Sequence, residues 1–306
     1  MSDAHAPNPL TGLSAALSGI VERVAPSIVQ IHHPGRRPAT AGFVWRPGYA
    51  VTAEEPLGTH ETLTLEASGH QSKATVIGRD PSTDIAVLKL ADESLPALML
   101  NTSLALKAGQ LVLSVGQTDY GPSARLGIVS VAGGPWRSMR GGRIDSLLRL
   151  DLTLDRRSEG AALLDAEGQA FGMAVRGRRR SVLAIPAATI ERIAAHIVEK
   201  GSVRPGYLGL GLHSVPLPSN EKSEGADRGV RAGLIVLSVA PDGPGHKAGL
   251  LQGDVIASWG GEPVNGMRSV LRKLGPDSVG ETVQLGLVRA GQSVPAQLTI
   301  APRPVA

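Results

Sequence analysis

The stretch VIGRDPSTDIAVLKL, residues 76–90, contains two short apolar runs separated by a Pro-Ser-Thr-Asp turn. Apolar runs of this length, bounded by turn residues, are typical of β-strands. About a dozen such runs, rich in Val, Ile and Leu, follow one another between residues 27 and 185. Short strands at this spacing predict an all-β barrel or sandwich rather than alternating strands and helices.

The segments on either side of this β-rich region have a different periodicity. Apolar residues recur at helical spacing over residues 10–24, which end near Pro26, and again over residues 187–200. Residues 201–206 (GSVRPG) are typical of a linker. The sequence therefore predicts an N-terminal helical segment over 1–26, a β domain over 27–200, this linker, and a smaller domain over 207–302.

Composition excludes several classes of protein. The chain has 306 residues, no cysteine and a formal charge of +4. It therefore has no disulfide, thiolate zinc site or cysteine nucleophile. The small, scattered positive charge does not favour nucleic-acid binding, and no apolar run is long enough to insert into a membrane. The N-terminus lacks a basic region before an apolar core, so the sequence as given predicts a cytoplasmic protein.

Several segments, taken in order, resemble the HtrA/Deg family. They are AGFVWRPGYAVTAEE (41–55), the stretch 76–90, LGIVSVAGG (126–134) and AGLIVLSVAPDGPGHKAGLLQGDVIASWGGEPV (232–264). The resemblance covers nearly the whole chain. It implies a mainly β protein, in which a trypsin-like double β-barrel is followed by a PDZ domain.

The resemblance also shows where this chain departs from the family's catalytic pattern. A trypsin-like protease needs a serine nucleophile, a histidine base and an aspartate. The family's histidine position is occupied by Glu55 and its serine position by Glu159, whereas the aspartate is present as Asp84. Ser158 precedes the serine position, and Arg157 replaces a glycine of the oxyanion turn. Because glutamate supplies neither an imidazole nor a hydroxyl, these changes predict a pseudoprotease that is not an enzyme.

Two other interpretations of the cleft remain open at this point. One is an active HtrA-type endopeptidase with rearranged catalytic residues, for which Ser158 and His60 are candidates; the other is a holdase chaperone. His32 and His33, near an early strand, are expected to be structural. The carboxylates Glu55, Asp84 and Glu159 would retain a proton or be neutralised by arginine, and no metal motif or cofactor is predicted.

A short basic run forms a second candidate surface. It comprises Arg176, Arg178, Arg179 and Arg180. Such a run is either a solvated turn or a docking patch for an acidic partner.

The C-terminal domain has a more complete family pattern. PDZ domains bind an extended C-terminal peptide as an added strand, with backbone N–H groups on its carboxylate. The resemblance assigns this site to Tyr207, Leu208, Gly209, Leu210, Met267, Val270 and Leu271. The main prediction is therefore an inactive scaffold or assembly factor that binds the C-terminal peptide of a protein partner. The family also favours a homo-oligomer of unspecified size.

Overall fold

The computed structural model describes residues 8–35, 38–177, 181–201, 206–217, 232–275 and 278–304. The chain forms two compact units. The first unit contains residues 1–136 and 144–203, and the second contains residues 137–143 and 204–306. No helix in these described ranges is long and apolar enough to cross a membrane.

The first barrel of the first unit is a closed sheet of six strands in the order β1-β2-β3-β6-β5-β4. Each strand pairs antiparallel with its neighbours, and β1 closes the barrel by pairing with both β2 and β4. The strands are β1 (Ile28–His32), β2 (Thr40–Arg46), β3 (Tyr49–Thr52), β4 (Thr62–Ala67), β5 (His70–Asp80) and β6 (Ile85–Leu90). Their inward side chains form an apolar core that includes Val29, Leu65 and Leu88.

The second barrel is also closed, in the order β11-β14-β13-β12-β7-β8. A short hairpin of β9 (Trp136–Arg137) and β10 (Arg143–Ile144) precedes β11. The other strands are β7 (Leu111–Thr118), β8 (Gly121–Gly133), β11 (Leu147–Asp151), β12 (Ala162–Asp165), β13 (Ala170–Arg176) and β14 (Val182–Pro186). A core that includes Phe43 and Met173 joins residues of both barrels, so the two barrels share one closely packed apolar interior.

Two helices pack against this core. Helix α1 spans Pro9–Val24, and the side chain of Asn8 accepts a hydrogen bond from the Leu10 N–H at its start. Helix α2 spans Ala187–Lys200 and buries Ile190, Ile193 and Ile197 on one face. Helix α2 buries the apolar face that its sequence spacing predicted, whereas α1 buries Ile20 and Val24 and leaves Leu10 and Leu13 exposed.

The second unit contains a sheet in the order β16-β17-β18-β20-β21, with β19 paired to β18. Its elements are β15 (Gly206–Tyr207), β16 (Leu210–Pro216), β17 (Ala232–Val239), α3 (Pro244–Lys247), β18 (Val255–Trp259), β19 (Glu262–Pro263), α4 (Met267–Leu271), β20 (Thr282–Arg289), β21 (Gln292–Thr299) and β22 (Ala301–Pro302). The predicted mainly β architecture, a double barrel followed by a smaller β unit, is confirmed.

Candidate active site and peptide-binding groove

An open cleft of about 570 Å³ in the first unit contains the three carboxylates that the sequence placed at the triad positions. The first barrel contributes Glu55 and Asp84, and the second barrel contributes Glu159. Other residues that line the cleft are His33, Pro38, Thr40, Pro56, Arg156, Arg176 and Gly177. The structure therefore brings Glu55, Asp84 and Glu159 to one cleft.

Asp84 is held by the backbone of the opposite turn. Its Oδ1 accepts a hydrogen bond of 2.8 Å from the N–H of Glu55, which begins the 3₁₀ turn Glu55–Leu57. Burial raises the pKa of Asp84 from 3.8 to about 7, and the nearby charges of Glu54 and Glu55 act in the same direction. Near neutral pH a large fraction of Asp84 is therefore protonated and able to donate a proton.

Glu159 lies at the end of another 3₁₀ turn, Arg156–Ser158. Its Oε1 is 3.0 Å from Nε of Arg176, which is the last residue of β13. Burial raises the pKa of Glu159, while the charge of Arg176 opposes that rise and the charge of Glu55 adds to it. Glu159 thus forms an ion pair within the second barrel, at the position where the resemblance places a serine.

The turn that carries Glu159 packs closely on the first barrel. Gly160 has φ +89°, and a Cβ there would collide with the carbonyl of Ala41 and lie 2.6 Å from Oγ1 of Thr52. Arg157, by contrast, is not in the left-handed region. The chain therefore follows a 3₁₀ path at Arg157, where the family has a glycine.

Ser158 and His60, the candidates for a rearranged triad, have different surroundings and different partners. Ser158 is only 4% exposed, and its hydroxyl donates to Asp155 and accepts from Arg125. The backbone carbonyl of His60 accepts from Arg79. The only base bound to the Ser158 hydroxyl among the described contacts is the Asp155 carboxylate. Because the pKa of Asp155 is lowered, this carboxylate is a weak acceptor for the hydroxyl proton.

The structure reveals a different pair of residues in the cleft. Nε2 of His33 lies 3.1 Å from Oγ1 of Thr40, and both side chains are buried where they line the cleft. From the sequence, His33 was expected to be structural and Thr40 was not a candidate. The antiparallel pairing of β1 with β2 brings the two together, and residue spacing alone does not give the register of that pairing.

No other candidate group supports a metal site. Among the residues that the structure describes, there is no group of three or more His, Asp or Glu side chains that could hold a metal ion. Arg176 of the predicted basic patch lines the cleft. Arg178, Arg179 and Arg180 lie outside the described residues.

In the second unit, the loop Tyr207–Leu210 is fixed by its own carbonyl groups. The carbonyl of Leu208 accepts a hydrogen bond from Gly245 N–H, and the carbonyl of Gly209 accepts one from Ala240 N–H, each 2.8 Å long. Gly209 has φ +69°, and a Cβ there would lie 3.2 Å from Cα of Gly243. Glycine is thus required for the shape of the loop as well as for any close approach of a ligand.

Strand β16 and helix α4 lie next to each other. The N–H of Met267 donates to Oγ of Ser214, which is in β16, over 3.3 Å. Val270 is buried in the core of the unit, whereas Leu271 is 47% exposed. Among the described strands, β16 pairs with β17 alone. One edge of β16 thus lies beside α4, where Leu271 is exposed. Leu208 and Val270, which were also predicted for peptide binding, are buried in the core of the unit.

Comparison with known proteins supports both halves of this description. A family model described as "Trypsin-like peptidase domain" matches residues 40–173, and one described as "PDZ domain" matches residues 206–300. A probable periplasmic serine endoprotease DegP-like from Pseudomonas savastanoi pv. phaseolicola is 30% identical over 96% of this chain. The chain belongs to the HtrA family.

Other relatives from the HtrA family have similar names. A probable periplasmic serine endoprotease DegP-like from Bartonella henselae is 30% identical over 82% of this chain, and periplasmic serine endoprotease DegP from Salmonella typhimurium is 27% identical over 83%. The chain spans 50%, 54% and 64% of the lengths of the Bartonella, Salmonella and Pseudomonas relatives.

Solved structures of HtrA proteins share the fold of this chain. The serine endoprotease from Yersinia pestis has a TM-score of 0.69 and 25% identity, covering 94% of this chain and 98% of its own. The HtrA-type protease AlgW with tripeptide has a TM-score of 0.67 at 25% identity, with the same coverage of both chains.

These comparisons correct two predictions. The prediction of an inactive scaffold that is not an enzyme is wrong, because the HtrA relatives are named as serine endoproteases. It rested on the side chains at two aligned positions, whereas Thr40 and His33 line the same cleft. The predicted cytoplasmic location is also wrong, because the same relatives are named as periplasmic. It relied on where the given sequence begins, which does not determine a location.

Proposed function

We propose that this HtrA-family chain is a periplasmic endopeptidase that cleaves polypeptides with a rearranged catalytic pair. In this proposal the hydroxyl of Thr40 is the nucleophile and His33 is its base. The observation that carries it is the 3.1 Å distance between Oγ1 of Thr40 and Nε2 of His33 at the wall of the cleft. The names of the relatives support the reaction class and the periplasmic location.

The proposed reaction is an acyl transfer followed by hydrolysis. Oγ1 of Thr40 bonds to the carbonyl carbon of the peptide while its proton passes to Nε2 of His33. That proton then goes to the leaving amine as the C–N bond breaks, which leaves an ester on Thr40. Water attacks the ester, gives a proton to His33 and releases the carboxylic acid. Thr40 recovers its hydroxyl proton in the last step.

Asp84 is a second proton donor in the same cleft. Its pKa of about 7, raised chiefly by burial, keeps both the acid and the carboxylate populated near neutral pH. A group with this property suits general acid catalysis at that pH. We therefore include Asp84 in the proposal as an acid that can protonate a bound peptide at the cleft.

Cleavage of an unfolded protein tests the proposal. The full chain is incubated with casein, and the new N-termini are identified by mass spectrometry. Thr40→Val, which removes the hydroxyl at similar volume, should lower the rate at least about a hundredfold, and His33→Gln should do the same. The matched controls are Thr64→Val on β4 and His70→Gln on β5, which should retain the rate. Equal cleavage by Thr40→Val, or no cleavage by the unaltered chain, would overturn the proposal.

We also propose that the PDZ domain binds extended peptides along β16. The described edge of β16 beside α4 carries this second proposal. A peptide added there would gain main-chain hydrogen bonds from β16 and apolar contact with Met267 and Leu271. The related protease AlgW has been solved with a tripeptide, which supports the same class of ligand for this chain.

Peptide affinity of the full chain tests this second proposal. Leu271 is 47% exposed, so Leu271→Asp should weaken binding of an apolar peptide without disrupting the core. We expect at least about a tenfold loss of affinity in titration calorimetry, because a charge replaces an apolar contact. Leu251→Asp is the matched control, since Leu251 is 55% exposed in the same unit and is not among the residues assigned to the groove. Equal affinity of Leu271→Asp and the unaltered chain would contradict the assignment.

A further inference from the structure

Beside the cleft, three side chains form a compact cluster that the proposed reaction does not use. We call Arg125, Asp155 and Ser158 the Arg125 clamp. Arg125 on β8 donates from Nη1 to Oγ of Ser158 over 2.5 Å and from Nη2 to Oδ2 of Asp155 over 2.7 Å. Asp155 Oδ1 accepts from the N–H and the hydroxyl of Ser158, over 2.9 and 2.8 Å.

We propose that Arg125 is a positioning residue that fixes the turn carrying Glu159, acting through Asp155 and Ser158. The planar guanidinium is suited to this task because its fork reaches two acceptors at once. It connects β8 to a turn that begins 30 residues later in the chain. The cluster therefore links the turn to the rigid wall of the second barrel rather than only to its own neighbours.

The backbone of the turn takes part in the same cluster. The N–H groups of Arg157 and Ser158 both interact with the Asp155 carboxylate. Burial alone would raise the pKa of Asp155, but the hydrogen bonds from Ser158 and the charge of Arg125 outweigh it and lower that pKa. Asp155 thus remains a charged acceptor at neutral pH, and its carboxylate binds the N–H groups of Arg157 and Ser158.

The position of Glu159 follows from this arrangement. Glu159 is the residue after Ser158, and its side chain reaches Arg176 from the end of the clamped turn. With the clamp closed, Glu159 is held at 15% exposure in its ion pair. If Arg125 is removed, Asp155 loses its charged partner, and the turn loses its connection to β8. The inference concerns this turn and is independent of whether Thr40 cleaves peptides.

Amide hydrogen exchange of the full chain measures the clamp directly. In Arg125→Gln, the amides of Arg157 and Ser158 should exchange at least about tenfold faster, since charge-assisted hydrogen bonds are lost. Arg125→Lys, which keeps the charge but not the fork, should restore protection in part. Arg149→Gln is the matched control, because Arg149 is exposed on β11 of the same barrel. In Arg149→Gln, the amides of Arg157 and Ser158 should exchange at the same rate as in the unaltered chain.

A second readout separates positioning from general stabilisation. The carboxyl pKa of Glu159, followed by carbon NMR, should move towards its ordinary value in Arg125→Gln as the burial that raises it is lost. A double variant with Asp155→Ala should show no larger effect than either single variant, because both act through one cluster. Additive effects, an unchanged Glu159 pKa, or faster exchange across the whole barrel would overturn the inference. If Arg125→Gln fails to fold, Arg125→Lys with and without Asp155→Ala gives the same test.

Discussion

The cleft between the barrels and the groove of the PDZ domain use their polar groups in opposite ways. In the cleft, the groups bind one another: Glu159 pairs with Arg176, and Thr40 with His33. In the groove, β16 has its only described strand partner on one side and α4 beside it on the other. A ligand in the cleft must replace existing contacts, whereas a peptide in the groove adds new ones.

This difference assigns separate tasks to the two regions. Contacts that a ligand must displace lower its affinity, because their loss offsets the gain from the new contacts. Perturbed pKa values in a cleft, as at Asp84 and Glu159, are characteristic of sites of proton transfer. We therefore expect most of the affinity for polypeptides to come from the groove and the proton chemistry to occur in the cleft.

The largest expected effect concerns the packing of the cleft. Gly160→Ala places a methyl group against the carbonyl of Ala41 and the hydroxyl of Thr52, at a residue with φ +89°. We expect the unfolding free energy of the first unit to fall by roughly 4 kcal/mol, since both backbone strain and a collision are introduced. Urea denaturation followed by far-ultraviolet circular dichroism measures this change.

Gly249→Ala is the matched control for that substitution. Gly249 in the second unit also has a left-handed conformation, with φ +72°, but nothing lies within 4 Å of a Cβ built there. Gly249→Ala should lower the unfolding free energy of the second unit by only about 1 kcal/mol, because it introduces backbone strain without a collision. Equal costs for the two substitutions would show that the cleft turn is not as closely packed as its contacts indicate.

The next effect is the pH dependence of stability that the cleft imposes. The folded pKa of Asp84 is about 7 against 3.8 for the free group, so this carboxyl contributes stability fully below about pH 4. That contribution is lost as the pH rises through 7. It is on the order of 4 kcal/mol for a shift of this size. The raised pKa of Glu159 acts in the same direction.

Unfolding free energies measured between about pH 4.5 and 8 test this prediction, because that range covers most of the interval from 3.8 to about 7 and the plateau above it. Asp84→Asn should remove most of the decline of the unfolding free energy with rising pH. Asparagine is the suitable replacement because it tolerates the positive φ of this residue. In Asp92→Asn the decline should persist, because the pKa of Asp92 is lowered by its hydrogen bonds with Ser94 and it is ionised throughout this range. An unchanged slope in Asp84→Asn would remove the cleft as the source of the pH dependence.

Much of the fold could be predicted from local sequence. The two apolar runs of residues 76–90 appear at the end of β5 (His70–Asp80) and as β6 (Ile85–Leu90), and the turn between them carries Asp84. Alternating apolar residues and turn signals define such elements locally. The hairpin β9–β10 was not predicted, because its two-residue strands give no periodic signal, and its tip, residues 137–143, groups with the second unit.

The site was predictable only where motif alignment applied. Alignment placed Glu55, Asp84 and Glu159, and the structure brings all three to the cleft. The pairing of His33 with Thr40 depends on the register between β1 and β2, and that of Arg125 with Asp155 depends on the register of β8. Neither pair has a sequence motif, because strand register is fixed by packing in the folded barrel.

A smaller effect is expected from an ion pair of the PDZ domain that stabilises the fold. Asp254 is 1% exposed and binds Arg289 twice, at 2.7 Å each. Asp254→Asn should lower the unfolding free energy of the second unit by about 3 kcal/mol, because a buried charge-assisted network is broken. Glu262→Gln, which breaks an exposed pair with Lys273, should leave that free energy nearly unchanged. Denaturation by urea distinguishes them, and equal losses would contradict the role given to burial.

The smallest effect tests the groove itself, through the chemistry of the peptide's end. Gly209 lies in the loop at the start of β16, where the resemblance to PDZ domains places the peptide carboxylate. A peptide with a free C-terminal carboxylate and an apolar last residue should bind the full chain with an affinity on the order of micromolar. Amidation of the peptide should weaken its binding roughly tenfold to a hundredfold, because a charge-assisted hydrogen bond to backbone N–H groups is lost.

The control for this prediction lies in the other region of the molecule. Thr40→Val should leave the peptide affinity unchanged, since this substitution alters only the cleft. Calorimetry in which the two forms of the peptide bind equally would show that the groove does not recognise the carboxylate, and a loss in Thr40→Val would show that affinity and chemistry are not divided between the two regions.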